Sequence, residues 1–593
     1  MMIGIDLGTT NSLVSVYRNG RVELIPNRLG KDMTGSAVSV LEDGSLLVGD
    51  AARERLVAHG DRTAVSFKRF MGTEQIIRLA DKTFTPQELS ALVLRQLYED
   101  ARAYLQEEIE EAVISVPAYF DDNQRNATKL AAELAGLPVK RLINEPSAAA
   151  LSYSLSAGRE DCCLMIVDFG GGTLDVSIVQ CFENVIEIIA IAGDNRLGGD
   201  DVDRAIAAYF CSQHSLTEGA LSTSQRESLL RQAEAAKKAL SQEGNAPRIR
   251  LSMDGEHEMV LDKALLRQIC QPLLDRIKPV IARAVRDSQL MPAQLDDIVL
   301  VGGSAKLAVL ADYLQELMGK RPLTAENPER IVAQGAGICA GIKSRREELK
   351  DMVMTDVCPF SLGIAVANEA GDRNLHMATM IPRSSMLPAS HRDYFYTLSD
   401  NQEWIRFQIY QGESYYAEEN RKLGELTVRV PADRAGIQYA EVNFAYDING
   451  ILHVEAKSSG GDVRETVIVN PKVHLKEEEL KQKVEELRQL QFAGEDDQED
   501  LLLMARAERL FIELTGERRK QVGMVLSRLQ HTMKNGGLVE RKKLRREVTA
   551  WLEGIEDWVY DTSWELSDVW KMDKDDRQAG DAEENMGRLF GET

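Results

Sequence analysis

The chain has 593 residues, of which 44% are hydrophobic and 28% charged, and its formal net charge is -23. That length outgrows a single core, so three or four domains of ordinary globular composition are expected. The acidity argues against nucleic acid as the main partner, since a phosphate backbone rewards a basic surface; a generally acidic protein explains the charge equally well.

The N-terminus reads Met1, Met2, Ile3, Gly4, Ile5, Asp6. It has no basic region leading into an apolar run, so no secretory signal is expected. No run of roughly 18 apolar residues occurs, so no membrane span is expected. The seven cysteines include no CxxC pair, which fits a reducing, cytoplasmic setting. The eight histidines are isolated and read as ordinary surface or core residues rather than metal ligands.

Residues 3–24 read as two strands about a tight turn, with Asp6, Leu7, Gly8, Thr9, Thr10, Asn11 and Ser12 at the bend. The pattern returns at 164–179, where Asp168, Phe169, Gly170, Gly171, Gly172 and Thr173 form the bend. Glycine lets the backbone approach a phosphate without a Cβ in the way, and successive N–H groups in a turn make an anion-binding concavity. An aspartate closing a buried strand suits a hydrated Mg²⁺. Either copy by itself is equally well a hairpin. Two copies in chain order make a nucleotide clamp the stronger reading. A third glycine turn, Gly302, Gly303 and Ser304, follows an apolar strand at 298–301. A helix is expected from Ala305, with its N-terminus facing phosphate or ribose, although a plain strand–helix connection fits as well.

The segments IGIDLGTTNS, VPAYFDDNQR, NEPSAAAL, DFGGGTLD, LGGDDVD and LVGGS stand in this order across the first half. Together they resemble the seventy-kilodalton heat-shock chaperones of the DnaK type, and the compact form is similar to the HscC branch. The resemblance implies a two-lobed actin-like α/β ATPase using ATP and ADP with Mg²⁺, and K⁺ as a further companion. By motif, Gly8, Thr9, Thr10 and Asn11 would touch the phosphates against Gly170, Gly171, Gly172 and Thr173. Asp6 and Asp168 would hold the metal through water. Lys68 matches the catalytic lysine, and Glu145, Asp168, Thr173 and Asp175 the groups ordering metal and water. No single strong base is needed, because positioning dominates phosphoryl transfer. Glu234, Lys237, Lys238 and Ser241, with Gly302, Gly303, Ser304 and Lys306, would hold the nucleoside; a solvated helix face is the plain alternative for the first four. Lys238 and Lys306 stand where many relatives carry arginine, and lysine lacks the flat guanidinium that stacks on a base.

Pro117, Arg125, Arg141, Asn144 and Asp356 match the family's relay between the ATPase and a peptide-binding domain, and Ser147 lies near its J-domain docking face. Residues 351–357 read as a linker. From 358 to 472 the period changes to two. Ile405, Phe407 and Ile409 alternate with polar neighbours, and Asn449-Gly450 marks a hairpin, so an antiparallel β-sandwich is expected. The resemblance places Ile364, Phe395, Leu398, Ile405 and Phe407 in a groove for extended apolar peptide; a plain sandwich core is the alternative for Phe407.

Residues 473–572 read as a helical lid, with Leu480, Val484 and Leu487 on one face. Trp551 and Trp558 are expected to pack within it, and 573–593 to be a disordered acidic tail. The partners implied are unfolded clients and a J-domain co-chaperone, with dependence on an exchange factor left open by the short 72–85 segment. A metabolite kinase on the same ATPase fold is the alternative, but it gives no reason for a sandwich behind a linker.

Overall fold

The computed structural model describes residues 1–560 apart from 158–160, 242–246, 253–255, 368–374, 468–474, 476 and 495–496. The expected tail at 573–593 lies outside these residues.

The repeated turn is the visible part of a duplicated sheet. In the first lobe the strand order is Val139–Asn144, Glu111–Val116, Met2–Leu7, Asn11–Arg18, Arg21–Ile25. In the second it is Leu323–Thr324, Asp297–Val301, Asp161–Phe169, Leu174–Phe182, Val185–Asp194. In both, the central strand runs parallel to the neighbour on one side and forms an antiparallel hairpin with the one on the other. These strands are apolar on both faces because helices cover them. Ile3, Ile5, Leu164 and Ile166 are completely buried. Helices Glu145–Ala157 and Ile331–Lys343 pack together between the sheets. Residues 3–24, expected as two strands, belong to three, because Arg21–Ile25 pairs back on Asn11–Arg18.

The helix expected from Ala305 is absent there. Gly303–Lys306 makes a single 3-10 turn, Leu307 takes an extended ψ of 120°, and the α-helix begins at Leu310. The Lys306 carbonyl instead accepts the Ser241 hydroxyl at 2.7 Å.

The segment between the halves is a strand. Val353–Thr355 extends the second sheet by pairing in parallel with Val185, Ile186 and Glu187. Beyond it stand two four-stranded sheets. One has the order His376–Ile381, Leu362–Val366, Trp404–Gln411, Arg421–Arg429; the other is Ala389–Tyr396, Tyr439–Tyr446, Leu452–Ser458, Val463–Val467. Their facing sides enclose one core that includes Leu362, Phe407, Ile409, Val442 and Phe444. Gly450 sits at φ 70°, the left-handed geometry that an Asn-Gly turn supplies.

Helix Glu477–Gln489 lies on the first lobe, where Leu487 joins that lobe's core and Lys483 pairs with Glu88 at 3.0 Å. Helices Gln498–Glu513, Gly516–Asn535 and Leu538–Tyr560 form a bundle with its own core of leucines and valines, and Trp551 packs against it. Trp558 falls where side chains lie outside the described set. Among the described residues no cysteines are bridged and no helix is long and apolar enough to cross a membrane.

Candidate nucleotide site and its links to the second half

The two glycine turns end strands Met2–Leu7 and Asp161–Phe169 and face each other across a cavity of about 520 Å³. Gly8, Thr9, Thr10 and Asn11 line one wall; Gly170, Gly171 and Thr173 line the other. The turns are in contact, since a Cβ on Gly171 would collide with the Thr10 hydroxyl. Gly172 lies just behind, against Thr9 and Arg69. Gly302 has φ 84°, and a Cβ there would stand 2.5 Å from the Asp168 carboxylate. Only glycine lets the third turn approach the floor this closely.

The floor is buried and acidic. Lys68 donates to Glu145 at 2.7 Å, and neither side chain is more than a tenth exposed. Asp6 accepts from the Ser115 hydroxyl at 2.7 Å. Burial, then the nearby Glu145, raises Asp6 to about 6 against the pull of Lys68. Asp168 is raised well above the carboxylate range by burial and by Glu145, Asp175 and Asp6. Burial and Glu145 lift Asp175 to about 7, although the Tyr119 amide donates to it at 3.0 Å. One lysine thus faces four carboxylates, an arrangement that favours additional positive charge in the cleft. Asp175 is buried behind the cavity wall rather than on it, and its second oxygen has no partner among the described residues; nor has the Thr10 hydroxyl.

At the far end, Glu234, Lys237, Lys238 and Ser241 stand opposite Gly303, Ser304 and Lys306. The helix carrying the first three, Thr223–Ala239, stops short of Ser241. Ser304 donates to the Gly170 carbonyl at 2.8 Å, tying the third turn to the second. Lys238 and Lys306 each rest on a glutamate, Glu234 at 2.7 Å and Glu329 at 2.9 Å. Glu234 is buried against its charge, yet Arg53 and Lys238 hold it well below the usual carboxylate range. Sequence reasoning missed Gly199, Asp200, Asp203 and Glu329, which also line the cavity. LGGDDVD carried the signal for the first three: Ser66 donates to Asp200 and Lys237 pairs with Asp203, both at 2.7 Å.

A family model described as Hsp70 protein matches residues 2–557. The chain belongs to the Hsp70 family. It is 38% identical over 524 residues to a protein named Chaperone protein DnaK from Thermotoga petrophila, covering 86% of this chain and 87% of the relative. A protein of that name from Emiliania huxleyi is 35% identical over 592 residues, covering 92% and 93%. The metabolite-kinase alternative finds no support in these likenesses.

In this Hsp70 chain the cleft connects to the second half through buried hydrogen bonds. Arg125 donates to Asn144 at 2.7 Å, and Asn144 and Ser147 both donate to Asp356 at 2.7 Å. Asn144 directly precedes Glu145 of the cleft floor. Arg125 also reaches the Asn449 carbonyl at 3.2 Å, and Arg141 the Ile448 carbonyl at 2.6 Å. The 448–449 hairpin of the sandwich is therefore seated on the first lobe. Pro117 ends strand Glu111–Val116, and its carbonyl accepts from Phe120 in the turn that carries Tyr119.

Of the expected groove residues, Ile364, Ile405 and Phe407 are buried in the sandwich core, and Phe395 packs against it with its ring 5.6 Å from that of Phe407. Leu398 is 74% exposed and is not part of that cluster.

Proposed function

We propose that this Hsp70 chain is an ATP-dependent chaperone, in which ATP hydrolysis in the cleft controls capture and release of unfolded apolar segments by the sandwich. The observation that carries this reading is the pair of hydrogen-bonded paths that leave Asn144, beside Glu145: one to Asp356 of the linker, the other through Arg125 to Asn449 of the sandwich hairpin. A cleft wired in this way to a second module has a route by which one site biases the other.

The triphosphate is assigned to the space between the two glycine turns, where backbone N–H groups and the hydroxyls of Thr9, Thr10 and Thr173 meet phosphate oxygens. Lys68 stabilises charge that develops as the terminal phosphoryl group departs. Glu145 orients the attacking water, Thr173 holds it against the second turn, and Asp175, behind the wall, acts on them through its negative charge. Among the described residues no three His, Cys, Asp or Glu side chains converge as a direct metal cage. Asp6 and Asp168 instead suit Mg²⁺ held through water, with K⁺ as a companion; Mg²⁺ supplies the positive charge that neutralises phosphate oxygens. Glu234, Lys237, Lys238, Ser241, Gly302, Gly303, Ser304 and Lys306 are assigned to the nucleoside. Residues 1–350, 351–357, 358–472 and 473–572 are assigned as ATPase, linker, peptide-binding domain and lid.

The docked linker and hairpin correspond to the state that exchanges clients readily. Hydrolysis frees Asp356, and the sandwich then closes on its client through Phe395, Leu398 and the residues beneath them. A J-domain partner is assigned beside Arg141, above the buried Asn144 and Ser147, and the protein works in the cytoplasm. The deciding measurement is ATP turnover with and without an unfolded apolar peptide, in the native chain and in Lys68→Ala. Peptide should stimulate the first and leave the second inactive; a native chain indifferent to every such peptide would sink the chaperone reading.

A further inference from the structure

The sequence holds seven cysteines, and the mechanism uses none of them. Two of them face each other. Strand Asp161–Phe169 pairs antiparallel with Leu174–Phe182 in a register that sets Cys162 directly opposite Cys181. Directly opposite residues point to the same side of a sheet. The packing agrees. Cys181 belongs to the cluster between the sheets that holds Leu164, Ile166 and Val179, and the partly exposed Cys162 packs against it. Cys163, next along the strand, points into the core on the other face. The two cysteines adjacent in sequence therefore stand on opposite sides, and the two on separate strands share one.

Opposite residues of an antiparallel pair have Cα atoms about 4.5 or 5.5 Å apart. A disulfide takes about 4.4–6.8 Å, so either kind of pair can be bridged without a change of register. The thiols differ in access. Cys181 is 1% exposed, and its sulfur lies 3.2 Å from the hydroxyl of Ser154 in helix Glu145–Ala157. Cys162 is partly open to solvent. Elsewhere burial pushes the Cys163 thiol up to about 11 and Cys270 to about 12, which withdraws them from thiolate chemistry.

The row continues across the sheet. Cys181 stands opposite Ile186, and Ile186 opposite Met354 of the segment between the halves. All four side chains meet the same cluster. The thiols thus lie in line with the strand by which Val353–Thr355 joins the second lobe.

We propose that Cys162 and Cys181 are a peroxide-responsive thiol pair, which closes into a cross-strand disulfide and steadies the sheet on which Val353–Thr355 docks. The Cys162 thiolate attacks one oxygen of hydrogen peroxide, the O–O bond breaks, and hydroxide leaves and takes up the thiol's proton as water, giving a sulfenic acid. The Cys181 sulfur then attacks the Cys162 sulfur, its proton passes to the departing hydroxyl, and a second water leaves. Two thiols and one peroxide become one disulfide and two waters, and a dithiol reductant reverses the bond. Transient, redox-sensing bonds of this kind are the ones found inside cells. The closed row has already lost freedom that it would otherwise lose when Met354 packs on it, so the oxidised sheet accepts the strand at smaller entropic cost.

The test treats the full chain with hydrogen peroxide and maps linked peptides without reduction. The expected product joins the peptides carrying Cys162 and Cys181, persists in Cys163→Ala, is absent from Cys162→Ser and from Cys181→Ala, and disappears with dithiothreitol. Amide exchange at 353–355 should be roughly fivefold slower in the oxidised native chain than in either unlinked variant treated alike, the lower end of ordinary coupling between sites. Peptides that stay unlinked, or a bond made by Cys163 instead, overturn the site. Linkage with unchanged exchange at 353–355 overturns its action on the docked strand. Both readouts are independent of ATP hydrolysis, so they stand or fall apart from the chaperone reading.

Discussion

In the cleft, the side chains assigned to chemistry are charged and withdrawn from water: Lys68, Glu145, Asp168 and Asp175 are each less than a tenth exposed. In the sandwich, the residues assigned to the client are apolar, and three of them, Ile364, Ile405 and Phe407, are also the core that holds the two sheets together. The cleft keeps its working groups against their own preference, as the raised Asp6, Asp168 and Asp175 record. The sandwich uses the same atoms for stability and for function. Substitution should therefore separate activity from folding in the first region and fail to do so in the second.

The largest effect should come from Lys68→Ala. Turnover should fall by about 10²–10³-fold, the scale of losing one preorganised charge in a transition state. The melting temperature should fall only modestly: Glu145 loses its buried partner, but the raised Asp6 and Asp175 can relieve the excess negative charge by taking up protons. A large fall in melting temperature would break the contrast. Phe407→Ala should behave oppositely, costing about 3–5 kcal/mol of sandwich stability in denaturant titrations, as a cavity in a closed core does. Phe395→Ala, half-buried at the edge of that core, should weaken peptide binding with a smaller loss of stability, and so sharpens which positions serve the client.

Asp356→Ala addresses the connection between the regions. It strips partners from Asn144 and Ser147, and should loosen docking by about 1.5–3 kcal/mol. The readout is loss of peptide-stimulated turnover while basal hydrolysis persists. The smallest effect concerns pH. Asp122 is buried at the same interface, where the Leu452 amide donates to it at 3.3 Å. Burial and the neighbouring Asp121 raise it from 3.8 to about 7, against the pull of Arg125. A raised carboxyl favours the docked state most below its ordinary 3.8, and that advantage fades as pH climbs through about 7. Docking, followed by amide exchange at 448–452, should be tighter at acid than at alkaline pH, and Asp122→Asn should flatten the profile.

How far the sequence reveals these regions follows from distance along the chain. The two phosphate turns are legible because each is a continuous run of glycine, threonine and aspartate, and the hairpins around them fix their geometry. Asn449-Gly450 is legible for the same reason. Ion pairs between distant segments are not. Arg53 and Glu234 are 181 positions apart, and Arg509 and Glu54 are 455 apart, so no local pattern announces either pair. Asp200 and Asp203 lie between these cases: LGGDDVD is plain, but only the fold turns their carboxylates toward Ser66 and Lys237. The helix expected from Ala305 is interrupted where Leu307 takes an extended ψ of 120°, and the α-helix starts only at Leu310; no turn residue in the sequence marks that break.

One backbone contact of the lid reaches further than its size. The carbonyl of Gln491 and the amide of Ala493 pair with Leu46, on the outer strand of a small three-stranded sheet in the first lobe. That strand reads Leu46, Leu47, Val48, with no charge or proline of its own to discourage company. Whenever the segment lifts, unpaired amides and carbonyls are left bare on an oily margin. A protein whose work is to cover such margins on others then carries one itself, and at high concentration its neighbours are the nearest strands available.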